Sequence, residues 1–283
     1  MNTVLEARTF ECLSLEFIDS VAHLKLNRAE QLNTLTPLFW REFSQVIEEI
    51  DKDGTTRVLV LSSTGKHFSA GMDLSVFQGD VLPGTTNPLD REQLRGLVLA
   101  LQKIFTRLEQ CRFPVIAAVQ GGCIGGAFDM VTACDMRYAT SSAFFCIQET
   151  SLAMMADLGT LQRLPRLIPE GIVKELAYTG DRLSAERAKA LGLVNEVFDT
   201  QEALLEHVLK LATRIAKQSP LAVRGSKEAI NFARDHGVQE GLAMAALWQS
   251  AMFDPLQIAA AGRAQATKSE AKFPDLLPVK HDI

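Results

Sequence analysis

Residues 114–129 read PVIAAVQGGCIGGAFD, and the order of residue types in that stretch decides the fold. PVIAAV is a short unbroken apolar run, the pattern of a strand buried on both faces. Gly121, Gly122, Gly125 and Gly126 follow, and an apolar run through Ala133 then reads as helix. A glycine-rich passage from strand to helix leaves free N–H groups at the helix start, where negative charge is favoured. The spacing is not G-x-G-x-x-G and lacks G-K-[ST], so it argues for neither a dinucleotide nor a nucleoside triphosphate. The glycines would equally allow a helix to pack closely on a strand, and at this point both readings stand.

Working outward, Val58-Leu59-Val60-Leu61 is a second buried run. Between the two lie a turn-rich loop at residues 79–88 (GDVLPGTTNP) and a helical pattern from about Asp90 to Gln110. Nearer the start, LSLEFI (13–18) and VAHLKL (21–26) alternate around Asp19-Ser20, the pattern of a hairpin. From Pro37 to about Ile50, Leu38, Phe39, Phe43, Val46, Ile47 and Ile50 share one helical face, with Thr36 as cap. Short strands are expected at 136–138, 144–147 and 194–197, giving a mixed α/β layer structure with crossovers. From about Gln201 the chain turns Ala-rich and helical, near 201–217, 220–235 and 237–251. Ala243, Ala245, Ala246, Ala259, Ala260 and Ala261 permit close helix approach, within the chain or between subunits. The expected division is a catalytic core over 1–200 and a helical domain over 201–283.

With 47% hydrophobic residues in 283, the chain can bury one large core or a core and a smaller appended domain. A net charge of −5 and the lack of any basic run argue against nucleic acid or an anionic membrane as partner. The five cysteines (Cys12, Cys111, Cys123, Cys134, Cys146) are odd in number and form no C-x-x-C pair, which fits reduced packing residues. His23, His67, His207, His236 and His281 show no metal-ligand spacing. Neither a targeting segment nor an apolar window near the roughly 20 residues of a membrane span is visible, so a soluble cytoplasmic protein is expected.

Two further segments carry chemistry. HFSAGMDL (67–74) follows a strand and a Thr-Gly-Lys turn, and Gly71 lets neighbouring amides face a cleft. Taken alone it reads equally well as a strand exit with an Asp cap. Joined to the first glycine passage, it offers a second amide donor, and two donors converging on one oxygen make an oxyanion hole for a thioester enolate. The third segment is a carboxylate series, Asp129, Glu149 and Asp157, set among apolar or small neighbours. Such surroundings raise a carboxyl pKa towards neutrality, where acid and base groups work. Each also has a structural alternative as a helix cap or strand end.

These segments together resemble the crotonase (enoyl-CoA hydratase/isomerase) superfamily. The likeness runs through LNRAEQLNTL, HFSAGMDL, PVIAAVQGGCIGGAFDM, CDMRY, LGTLQRLPRLI, GDRLSAERAKALGLVNEV and PLAVRGSKEAI. It implies a spiral of ββα units with a C-terminal all-helical oligomerisation domain, assembled as a homotrimer or a hexamer of paired trimers. It places the oxyanion amides on Ala70 and Gly126, with Ser69, Ala70, Gly71, Met72 and Asp73 lining the CoA thioester channel. Hydratases of the family carry two glutamates at the positions of Asp129 and Glu149, and glycine at that of Asp157. All three acids together resemble the pattern of the family's dienoyl-CoA isomerases, which shift a 3,5-diene to a 2,4-diene in fatty-acid β-oxidation. By that resemblance Asp157 takes the C2 proton, Glu149 protonates C6 and Asp129 tunes the charge, with no metal or redox cofactor. An enoyl-CoA hydratase and a non-catalytic acyl-CoA binder are the alternatives. Arg28, Lys66 and Lys227 are candidates for the CoA phosphates, and Phe77, Phe128, Phe144 and Phe145 for the acyl pocket.

Overall fold

The computed structural model describes residues 4–77, 82–84 and 86–279; part of the expected 79–88 loop, and His281, lie outside the described residues. In chain order the structure runs β1 (Val4–Thr9), β2 (Leu13–Ile18), β3 (Val21–Leu26), α1 (Pro37–Asp53), β4 (Val58–Ser63), α2 (Pro88–Gln110), β5 (Val115–Val119), β6 (Gly122–Ile124) and α3 (Gly126–Thr132). It continues through β7 (Met136–Thr140), β8 (Phe144–Cys146), α4 (Thr160–Arg163), α5 (Glu170–Thr179), β9 (Arg182–Ser184), α6 (Ala185–Ala190) and β10 (Glu196–Phe198). Four helices close the chain: α7 (Gln201–Ala216), α8 (Pro220–Asp235), α9 (Val238–Met252) and α10 (Pro255–Ala266).

Seven strands form one sheet in the order β1-β2-β3-β4-β5-β7-β10, and β6-β8-β9 form a second. The hairpin at β2 and β3 is antiparallel, with Asp19 at φ 53° in its turn. Asp is among the few residues that enter the left-handed region readily. From β3 onward the large sheet is parallel, which requires a crossover at each step. Val58 and Val60 face one side and Leu59 and Leu61 the other, so both faces are covered and the strand reads as an unbroken apolar run.

On the Leu59 side, α1 and α2 supply Phe39, Phe43 and Phe105, whose rings meet at centroid distances of 5.2 and 6.4 Å. On the Val58 side, α7 lays Leu204, Val208 and Ala212 against Val21, Val58, Val60, Ile116 and Ala118. The helical tail thus starts as one layer of the sheet's own packing. The last helices are different: α9 buries none of its residues, and Val238, Leu242, Leu247, Leu256 and Ile258 stand exposed. After α10 the chain returns as an irregular segment held by Arg57, which donates to Asp275 Oδ1 at 2.8 Å and Phe273 O at 2.6 Å. Arg112 adds a bond to Leu277 O at 2.9 Å.

Three strands were not expected from sequence. Gly122-Cys123-Ile124 has no strand-forming run, and its extended form is imposed by pairing with β8 and by the Ser69–Cys123 bridge. β9 is equally short, and β1 pairs with β2 at the sheet edge. The strand expected at 194–197 begins at Glu196, because Leu193 and Val194 are buried in the preceding turn.

Candidate active site

The two glycine-bearing loops are zipped together by backbone bonds. Phe68 N–H donates to Gln120 O (2.7 Å), Ser69 N–H to Gly122 O (3.1 Å) and Ile124 N–H to Ser69 O (3.2 Å). Gly71 sits at φ +85°, and a Cβ there would stand 2.5 Å from Ile124 O, so only glycine fits this approach. Most amides on both loops are already spent. Ala70 N–H donates to Leu32 O (3.0 Å), Gly71 N–H to Ser69 Oγ (3.1 Å) and Asp73 N–H to Leu35 O (3.3 Å). Gly125 N–H donates to Cys146 O at 2.9 Å. Among the described residues, Met72 N–H is left without an acceptor on the first loop, and Gly126 N–H, at the first position of α3, on the second.

The expectation that Ala70 supplies an oxyanion amide is therefore corrected: Leu32 O already holds that N–H. The spare donor is two residues on, at Met72, whose nitrogen lies 4.0 Å from where a Gly126 Cβ would be. Met72 and Gly126 both line a cavity of about 650 Å³, whereas Ser69, Ala70, Gly71 and Asp73 do not. Ser69 is fully buried and joins the two loops. Asp73 accepts from Ser75 Oγ at 2.5 Å and from Thr34 Oγ1 at 2.7 Å, which together hold its carboxyl below the usual range and shape the loop.

Asp129, Glu149 and Asp157 line that same cavity. Asp129 lies in the first turn of α3, almost fully buried, and accepts Thr160 N–H on Oδ1 at 2.6 Å. Burial lifts it from 3.8 to about 6, against the pull of the Thr160 bond. Burial, reinforced by the charge of Asp129 and then of Asp157, lifts Glu149 from 4.5 to about 7. Its Oε2 is buried with no partner among the described residues, a state that invites a substrate or water hydrogen bond. Asp157 stands in the loop before α4, and burial raises its carboxyl as well. Three carboxyls in one low-dielectric space cannot all ionise cheaply, so some of them hold protons near neutral pH.

The remaining walls are apolar: Pro37 and Trp40 from α1, Leu94, Leu97, Val98 and Leu101 from α2, and Val76, Phe77, Leu82, Met154 and Met155 from the loops. Of the four phenylalanines considered from sequence, only Phe77 lines the cavity. Phe128 and Phe145 are fully buried in the core, 5.3 Å apart between ring centroids, and Phe144 lies under Arg182. Trp40 and the α2 leucines were missed because on an amphipathic helix they read as core.

Lys227 is corrected too. It is buried in α8, where Nζ donates to Asp135 Oδ2 (2.8 Å), Leu108 O (2.9 Å) and Phe113 O (3.0 Å). Every ammonium hydrogen is occupied, so it cannot meet a phosphate. Lys66 is exposed and Arg28 half-buried, with Arg28 Nη1 reaching Thr34 O at 3.4 Å. Among the described residues no cluster of His, Cys, Asp or Glu has the geometry to hold a metal, and no helix is long and apolar enough to cross a membrane.

Residues 16–275 match the sequence profile of the enoyl-CoA hydratase/isomerase family. The chain is 40% identical over 277 residues to the peroxisomal Δ(3,5)-Δ(2,4)-dienoyl-CoA isomerase of Arabidopsis thaliana, covering 97% of this chain and 100% of that protein. It is 40% identical over 255 residues to the mitochondrial Δ(3,5)-Δ(2,4)-dienoyl-CoA isomerase of Rattus norvegicus, covering 89% and 78%. A crystal structure of enoyl-CoA hydratase from Bacillus anthracis superposes with a TM-score of 0.84 at 33% identity, over 93% of this chain and 99% of that one. Fold, spare amides and sequence agree, and the chain belongs to the enoyl-CoA hydratase/isomerase family, with its crotonase fold.

Proposed function

We propose that the protein converts 3,5-dienoyl-CoA to 2,4-dienoyl-CoA in fatty-acid β-oxidation. The observation that carries this reading is the presence of Asp157 on the same cavity as Glu149, Asp129 and the two spare amides. The thioester oxygen accepts from Met72 and Gly126 N–H. Ionised Asp157 takes a proton from C2, and the C2–H electron pair enters the conjugated system as a dienolate held by those amides. Protonated Glu149 then delivers its proton to C6. Electrons return from the oxygen, so that the double bonds end at C2 and C4. One proton is taken and one given; Asp157 and Glu149 regain their starting states by proton exchange through the cavity. Asp129, fixed by Thr160, keeps negative charge near Glu149 and favours its protonated form. The scheme uses no further group.

Support for the diene comes from the relatives named above and from the long apolar wall of α2, which suits an extended acyl chain. Arg28 and Lys66 are the proposed CoA phosphate contacts. The exposed apolar side chains of α9 and α10 favour association over a monomer, and the family resemblance makes the proposed assembly a trimer, or two trimers paired. The five free, buried cysteines fit a reducing compartment, proposed here as the cytoplasm, although the two named isomerases are peroxisomal and mitochondrial.

The test is spectroscopic. With a 3,5-dienoyl-CoA the conjugated 2,4-dienoyl band should grow, and Asp157→Asn should lower that rate at least about a hundredfold with little change in substrate affinity. Efficient hydration of a 2-enoyl-CoA with no diene shift would assign the chain to the hydratases instead. Binding of both thioesters without turnover would make it a silent relative.

A further inference from the structure

Asp157 stands in a segment, residues 153–159, that has no helix or strand of its own. Where its carboxyl points is set by whatever holds the backbone on either side. Gln102 Nε2 donates to the Asp157 carbonyl at 2.6 Å. One residue on, Arg163 Nη1 donates to Leu158 O at 3.2 Å. The guanidinium is itself fixed from α2: Nη2 donates to Thr106 Oγ1 at 2.9 Å, and Nε stands 3.1 Å from Glu109 Oε2. Gln102, Thr106 and Glu109 share a face of α2 at helical spacing. Gly159, at φ +131°, gives the arginine its room, since a Cβ there would lie 1.7 Å from Nη1.

We infer that Gln102 is a positioning residue for the proton acceptor, holding the Asp157 backbone from behind so that its carboxyl faces the thioester. Gln102 does not line the cavity that holds the three acids. It faces a separate polar hollow of about 420 Å³, with Glu109, Gly159 and Arg163. Its influence on turnover therefore runs through the Asp157 main chain, while the adjoining face of α2, about a quarter-turn away, carries the apolar wall. A glutamine suits the task because it donates to a carbonyl without placing a charge beside the base. The inference rests on Asp157 acting as that base.

Gln102→Leu removes the donor, and Gln102→Glu keeps the shape while setting an acceptor against the carbonyl. In both, kcat for the diene shift should fall about 10- to 100-fold, since a displacement near 1 Å at a reacting group costs up to about 10²-fold. KM should stay within about twofold, because no substrate contact is touched. Unchanged kcat in both variants overturns the inference. So does a rise in KM matching the fall in kcat, or a loss that tracks only the unfolded fraction measured by thermal melting. Asp157→Asn is assayed alongside: if that variant turns over normally, the base assignment itself fails, whatever Gln102 does.

Discussion

Glu149 occupies the space a side chain at Gly125 would fill: a Cβ built on Gly125 stands 3.0 Å from Glu149 Oε1. The next residue, Gly126, carries one of the two spare amides. The proposed proton donor and the proposed oxyanion amide thus flank a single backbone joint, and a disturbance there reaches both.

Gly125→Ala is the direct probe. Gly125 has φ +54° and ψ −123°, outside the left-handed helical region and natural only to glycine, where an L side chain costs on the order of 1–3 kcal/mol. The added methyl also presses on the Glu149 carboxyl. Chemical unfolding should show that loss of stability, and kcat should drop at least about tenfold, as expected when a proton donor is moved by a few tenths of an ångström or more.

The elevated carboxyls predict a pH dependence. Glu149 must hold its proton to serve C6, and with a pKa of about 7 it loses that proton above neutrality, so kcat should fall as pH rises through about 7. Stability follows the same group. Its folded pKa lies above the ordinary 4.5, so between about 4.5 and about 7 the native state binds more protons than the unfolded chain. Stability is then lost as pH rises across that window. Glu149→Gln should melt progressively higher than the native protein from pH 5 to 8, by something of the order of 2 kcal/mol, while losing activity. A constant difference in melting across that range would contradict the raised pKa.

Lys227 separates structure from binding. Lys227→Met leaves Asp135 and two carbonyls without their partner in a buried site, which should cost about 3–5 kcal/mol. In the folded fraction, KM for the CoA thioester should match that of the native enzyme. A selective rise in KM would return Lys227 to the phosphate site.

The elements that a local pattern dictates were readable beforehand. The hairpin at Asp19, the amphipathic α1 and the two buried runs all depend on neighbours a few residues away. The three acids were also readable, since their apolar flanks already implied burial. The spare amide was not: whether Ala70 or Met72 is free depends on Leu32 O and Leu35 O, which come from a segment more than thirty residues earlier. Lys227 was misplaced and Gln102 went unremarked for a related reason. On a helix each reads as solvent-facing, and only the packing of α8 and of the 153–159 loop shows that both are enclosed or engaged.

Because α7 lays Leu204, Val208 and Ala212 on the Val58 and Ile116 face, the catalytic half cannot be excised at residue 200 without baring an oily surface to water. A shortened enzyme would have to keep the chain through Ala216. Melting should accordingly be cooperative across that seam, with sheet and α7 lost in one event rather than peeled apart.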